Sequence, residues 1–237
     1  MFKRTLIITP HCDDESIGCG GLMSSLARDP KNFVRIVIVA THKDTYNYSA
    51  GRVVSNEERM SETLEAISVL GFNEENISVK QLSGFEDGKV DLASMKDLIS
   101  QLDGEIRSFQ PTAVLFPYSS HHQDHQAVYK ASIAALRPTL DTRYIKLRAM
   151  YEYPYVNSWS SNLNPNSKLY YRLEVQDMLA KEEALKKFKS QLDRPDEDIL
   201  SVDSIVALAI TRGKEIGASY AEVFYPMSII VDKEDLT

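Results

Sequence analysis

Short β-branched runs alternate with amphipathic stretches through the first half of the chain. Residues 5–9 (Thr-Leu-Ile-Ile-Thr), 33–40 (Phe-Val-Arg-Ile-Val-Ile-Val-Ala) and 112–117 are largely apolar over a strand's length and read as strands, the first of them buried, and 77–81 reads as a further short strand. Between them, residues 22–28, 56–70 and 92–109 read as helices. In the second of these Met60, Leu64, Ile67 and Leu70 mark an apolar face, and Gly71 follows as a C-terminal stop. Residues 85–88 form a turn. Strand–helix alternation predicts an α/β protein of three layers, αβα, with a Rossmann-like, mostly parallel sheet. In the usual doubly wound order the first and fourth strands are neighbours, so their C-terminal tips converge. The second half adds strand-like runs at 145–153, 169–173 and 220–225, and helices at 125–136, 177–192 and 203–217. Met178, Leu185, Phe188 and Leu192 share one face of the helix at 177–192. Two polar stretches interrupt the pattern: 41–54, with Tyr46 and Tyr48, and 156–168, rich in Ser and Asn and holding the only Trp, Trp159. Loops of that length inside a compact domain are usually functional, and 156–168 reads as a cover over a site.

Composition narrows the class. The 237 residues suit one α/β domain, 1–237, with a sizeable core. Apolar residues at 43% and charged residues at 26% are those of an ordinary globular chain. A net charge of −7 argues against nucleic acid or an anionic membrane as partner. No apolar run approaches a membrane span, and the first residues lead into a strand without a signal-peptide layout. The two cysteines, Cys12 and Cys19, lie in one loop and do not form a secreted disulfide framework. The expectation is a reduced, cytoplasmic protein.

The candidate chemistry sits where the strands end. After Pro10 come His11, Asp13, Asp14 and Glu15, then Gly18, Gly20 and Gly21, which are expected to let the chain turn tightly into a helix. Charges at the tip of a buried strand need a partner or a metal. The fourth strand leads into His121-His122-Gln123-Asp124-His125, which holds three of the five histidines. One imidazole and one carboxylate from the first loop, with one imidazole from the second, make a three-ligand set of the kind that keeps a position open for water. The acids of the first loop equally suit a helix N-terminus. The Gly-x-Gly-Gly spacing is too short for a dinucleotide fingerprint.

His11-Cys12-Asp13-Asp14-Glu15 resembles the His-Pro-Asp-Asp-Glu motif of the PIG-L (LmbE-like) family of zinc-dependent N-deacetylases, and His122-Gln123-Asp124-His125 matches that family's His-x-Asp-His motif. The departures are Cys12, where the family has proline, and Ser120, where relatives carry Asp or Tyr. Weaker pieces of likeness are the helix ending in Ser190-Gln191, Arg212-Gly213, and Tyr220-Ala221-Glu222. The resemblance implies His11, Asp14 and His125 as metal ligands, Asp13 as general base toward metal-bound water, and His122 as stabiliser of the oxyanion. Asp124 is implied to orient a histidine. Arg59 and Asp87 match positions that hold sugar hydroxyls, with a surface charge on a helix as the plainer reading of Arg59. The implied cofactor is Zn2+; Fe2+ fits the same two-imidazole, one-carboxylate set.

The implied reaction is hydrolysis of an N-acetyl group from a small-molecule amino sugar or its conjugate. Two other readings stay open: a zinc amidase acting on another acylated amine of natural-product or thiol biosynthesis, and a sugar- or nucleotide-binding module without catalysis. Relatives often assemble, which leaves a homo-oligomer open. His121 reads as an exposed neighbour, Cys12 as packing, and His42 as either cleft lining or simple loop. The rings of Tyr46, Tyr48 and Trp159 suit either sugar stacking or packing.

Overall fold

The structure is a computed structural model that describes residues 1–47, 51–154 and 167–232, with the backbone only for 45–47. Trp159 and Tyr48, the ring of Tyr46, and nearly all of the expected cover at 156–168 lie outside the described residues.

Chain order is β1 (Arg4–Thr9), α1 (Asp14–Ala27), β2 (Phe33–Ile38), β3 (Thr45–Asn47), β4 (Arg52–Val54), α2 (Asn56–Val69), β5 (Ile77–Gln81), a 3-10 turn (Val90–Leu92), α3 (Met95–Phe109), β6 (Ala113–Pro117), α4 (Gln123–Ala135), β7 (Leu147–Tyr151), β8 (Leu169–Leu173), α5 (Val175–Leu185), α6 (Lys189–Leu192), α7 (Val202–Glu215) and β9 (Tyr220–Ile229). The main sheet has the order β5-β2-β1-β6-β7-β9-β8. Its first five strands are parallel, and β9 pairs antiparallel with both β7 and β8. Thus β1 and β6 are neighbours, in register from Thr5 opposite Ala113 to Ile7 opposite Leu115. The centre of the sheet is covered on both faces: one apolar cluster holds Ile7, Leu22, Ile36, Leu115 and Phe188, the other Leu6, Ile8, Val37, Leu102 and Phe116. Burial on both faces explains why these strands read as unbroken apolar runs. Among the described residues no helix is long and apolar enough to cross a membrane.

Four local expectations change. The stretch 41–54 is not all loop: β3 and β4 pair as an antiparallel hairpin within it. Leu64 is not on the inner face of α2 but 54% exposed, because that face carries Arg59, Glu62, Thr63, Ala66 and Ile67 instead. Three of those five are polar, so hydropathy misplaced the face. Residues 177–192 are two helices. The chain leaves helical geometry at Phe188 (ψ 57°), still burying Phe188, and Ser190 then bonds Glu62 through its amide at 2.9 Å and its hydroxyl at 2.6 Å. Finally, Gly18, Gly20 and Gly21 lie inside α1, and they permit contact rather than turning. A Cβ at Gly18 would sit 2.3 Å from Cδ2 of Tyr151, and one at Gly21 would sit 2.5 Å from Leu173. Gly71 does carry the positive φ (94°) expected of a helix stop.

Candidate active site

The C-terminal tips of β1 and β6 bring the two motifs together. Thr9 donates to the carbonyl of His11 at 2.6 Å, which fixes the loop leaving β1. The next turn is strained. Asp13, the N-cap of α1, has φ 130° and ψ −33°, a region that side chains seldom occupy. Such strain persists where the surroundings over-determine it, and it concentrates at functional sites. Here the Asp13 amide donates to Glu15 Oε2 at 3.2 Å. On the other side, His122 caps α4: its Nδ1 accepts the Asp124 amide at 3.2 Å. That bond leaves the proton of a neutral His122 on Nε2.

His11, Asp14 and His125 offer ligand atoms that all lie within 4.8 Å of one another; His11, His122 and Asp124 form a second such group. His11 Nδ1 stands 3.3 Å and His125 Nε2 3.4 Å from the same oxygen of Asp14. Three carboxylates surround His11, since its Nε2 also meets Asp124 at 3.0 Å and Asp87 at 3.3 Å. Burial alone would lower the His11 imidazole, but its bonds to Asp124, Asp14 and Asp87 outweigh that and hold it well above its ordinary value. Burial would likewise raise the Asp14 carboxyl, yet the charges of His125 and His11 hold it at about 2. Burial pushes His125 down to about 4, so it is neutral at neutral pH.

A proton on His11 is thus the positive charge that this acidic cluster lacks. Asp14 Oδ1 and His125 Nδ1 are both buried without a hydrogen-bond partner. Two imidazoles and one carboxylate, with orphaned donor atoms and surplus negative charge, fit a divalent cation.

Asp13 lies beside this group, 8% exposed, and no hydrogen bond to its carboxylate is seen among the described residues. Burial, then the neighbouring Asp14, raises its carboxyl well above the usual range. Burial also lowers His122, so its ring is neutral at neutral pH. Asp124 is locked by the amides of Gly88 at 2.7 Å and Val90 at 3.0 Å, and turns Oδ2 to His11. Arg59 and Asp87 meet each other, with Nη1 donating to Oδ2 at 2.9 Å, while His42 Nδ1 stands 2.9 Å from the same oxygen. Both line the cavity, so the pair is placed to meet a ligand, and Asp87 also contacts His11.

The cavity over the cluster has a volume of about 590 Å3. Its lining includes His11, Asp13, Arg59, Asp87, His122 and His125, all of them residues that the sequence singles out. Ser120 and His121 also line it; Ser120 accepts the His122 amide at 3.2 Å. Cys12 does not line it. Its buried thiol packs on the Met60 sulfur at 3.6 Å and is pushed up to about 12 by burial, which disqualifies it as a ready thiolate ligand. Sequence reasoning missed the far wall: Tyr153, Gln191, Leu192, Arg194 and Leu200. Only Ser190-Gln191 gave any signal, as one of the weaker pieces of family likeness. Tyr153 packs its ring against His125 at 4.8 Å between centroids.

Comparison with known proteins agrees with this geometry. The family described as PIG-L, GlcNAc-PI de-N-acetylase, matches residues 6–136. The chain is 32% identical over 141 residues to the uncharacterized deacetylase YaiS of Escherichia coli (strain K12), a match spanning 57% of this chain and 69% of that one. The conserved protein TT1542 from Thermus thermophilus shares the fold with a TM-score of 0.73 at 24% identity, over 99% and 98% of the two chains. The N,N'-diacetylchitobiose deacetylase from Pyrococcus horikoshii superposes with a TM-score of 0.69 at 22% identity, over 99% of this chain and 89% of that one.

Proposed function

The chain belongs to the GlcNAc-PI de-N-acetylase (PIG-L) family, a deacetylase family, and from that premise we propose that it is a metal-dependent hydrolase that removes the acetyl group from an N-acetylated amino sugar or its conjugate. The observation that carries the proposal is the grouping of His11, Asp14 and His125 within 4.8 Å, beneath a cavity that His11, His125 and Asp13 line. The substrate class is supported by the Pyrococcus neighbour, whose name gives N,N'-diacetylchitobiose, and by a cavity within the ~300–1,000 Å3 range of small-molecule sites.

His11, Asp14 and His125 would hold the cation, with zinc favoured by the donor set. When bound, such an ion polarises an acyl carbonyl and makes water a nucleophile near neutral pH. The chain's own residues supply the rest. Asp13 takes the proton of the attacking water and returns it to the leaving amine. Without a hydrogen bond to its carboxylate among the described residues, Asp13 is free to take that proton and hand it on. His122, neutral with its proton on Nε2, donates to the developing oxyanion. Asp124 fixes the His11 ring. Arg59 and Asp87 orient the sugar.

The test is Asp13→Asn. With no ligand role, the variant should keep its metal while acetate release from N-acetylglucosamine and diacetylchitobiose falls by ~10²-fold or more. Full turnover with metal retained would remove Asp13 from the chemistry.

A further inference from the structure

At the opposite end of the sheet from the catalytic cavity, β7 and β9 open a second groove of about 950 Å3. Leu136, Leu140, Met227 and Ile230 supply its apolar wall, and Arg143 and Arg148 its charge. We propose that this groove binds an amphipathic carboxylate, with the anion against Arg148 and the apolar body along Leu140 and Met227.

Arg148 is the observation that points to an anion. It is 9% exposed, and among the described residues its Nη atoms donate only to neutral oxygens: Thr142 O at 2.7 Å, Ile145 O at 3.1 Å and Ser228 Oγ at 3.2 Å. Its Nε is buried without a partner. Among the described residues no carboxylate pairs with it. The acids nearby are engaged elsewhere: Asp103 by Arg137 at 2.8 Å, Asp141 by Arg107 at 3.0 Å, and Asp232 by Lys146 at 3.2 Å. Arg143 stacks on Tyr144 and also lacks a carboxylate among the described residues. A buried guanidinium short of a counter-charge is unfavourable in isolation. A bound carboxylate would complete it with charge-assisted hydrogen bonds, in the planar geometry that arginine suits.

The backbone is also shaped for the groove. The register of β7 against β9 slips between Arg148 and Ala149, whose partners are Ser228 and Pro226. Met227 is therefore the extra residue of a β-bulge, a device that re-aims a side chain and is common beside binding sites. Met227, Leu140 and Ile230 are 43%, 77% and 41% exposed, apolar surface ready to be covered.

The test is titration of the full chain with octanoate and with 1-octanol by calorimetry or ligand-observed NMR, repeated on Leu140→Glu and Arg148→Met. Octanoate should saturate one site, and 1-octanol should bind about tenfold more weakly or worse. Leu140 is a surface position, so Leu140→Glu should fold, keep full acetate release, and weaken octanoate about tenfold or more. Arg148→Met, if it folds, should lose the preference for octanoate over octanol. If it does not fold, the octanol comparison and Leu140→Glu decide. Saturable octanoate binding absent up to about 10 mM, equal binding of octanol, or octanoate binding indifferent to Leu140→Glu would each overturn the proposal.

Discussion

Replacing Gly18 by alanine tests whether the glycines of α1 exist for packing. Helix propensity alone predicts a gain, since alanine is favoured over glycine by ~1 kcal/mol in a helix interior. The structure predicts the reverse. The new Cβ would stand 2.3 Å from Cδ2 and 2.8 Å from Cγ of Tyr151. That ring is fully buried and its hydroxyl donates to Ile8 O at 3.3 Å, so it has nowhere to swing. Overpacking of this kind costs ~1–3 kcal/mol, and at the upper end, after subtracting the propensity gain, the net loss is about 2 kcal/mol. For a chain of this size that lowers Tm by roughly 4–8 °C. Gly104→Ala is the control. Gly104 lies within α3 with nothing near its would-be Cβ, so the same change should raise Tm by roughly 2–4 °C. Both should be unfolded thermally in excess chelator, because bound metal would shift Tm by mass action. Gly18 is also one turn past Asp14 in α1, so displacing the helix should weaken metal binding in Gly18→Ala and not in Gly104→Ala. Equal stabilisation in the two variants would refute the reasoning.

Further outcomes follow from the same contacts. Because His11 holds a proton in the metal-free site while His125 is already neutral, metal must displace that proton, and apparent affinity should rise about tenfold per pH unit near neutrality in chelator competition. Glu222 accepts the amides of Gly21 and Leu22 at 2.8 Å and the buried Lys181 ammonium at 2.7 Å; Glu222→Ala strands that cation and should cost ~3–5 kcal/mol in urea denaturation. Burial pushes Glu15 up to about 7, so the folded chain keeps a proton that the unfolded chain releases above its ordinary value of 4.5. The stability from that proton is full below 4.5 and falls as pH rises to about 7. Glu15→Gln should therefore stabilise the metal-free protein at pH ~8 relative to the parent by up to ~3 kcal/mol, with little change at pH ~4.

What the chain reveals in one dimension is what local pattern controls. The strands β1, β2 and β6 are legible because burial on both faces leaves mostly apolar runs, and the usual doubly wound order makes β1 and β6 neighbours. That order alone joins His11 and Asp14 to His125. Contacts set by distant partners are not legible. Nothing near Gly18 tells that Tyr151 will press on it. The polar inner face of α2 hides from hydropathy because Arg59 and Glu62 are turned inward to Asp87 and to Ser190. Most of the far wall, Gln191, Leu192 and Arg194, comes from α6 and the residue pair after it, beyond a break in the helix that the sequence pattern does not show. Arg148 looks like any strand arginine until the bulge opposite it is seen.

The central claim is a metal-dependent deacetylase site on His11, Asp14 and His125. It is tested most directly by the metal content of the purified chain, read beside acetate release from diacetylchitobiose before chelation, after chelation, and after adding zinc back. The account predicts one divalent ion per chain, loss of both ion and release on chelation, and return of both with zinc. A chain that holds no ion and takes none up, or one that releases acetate at an undiminished rate when stripped, would contradict it.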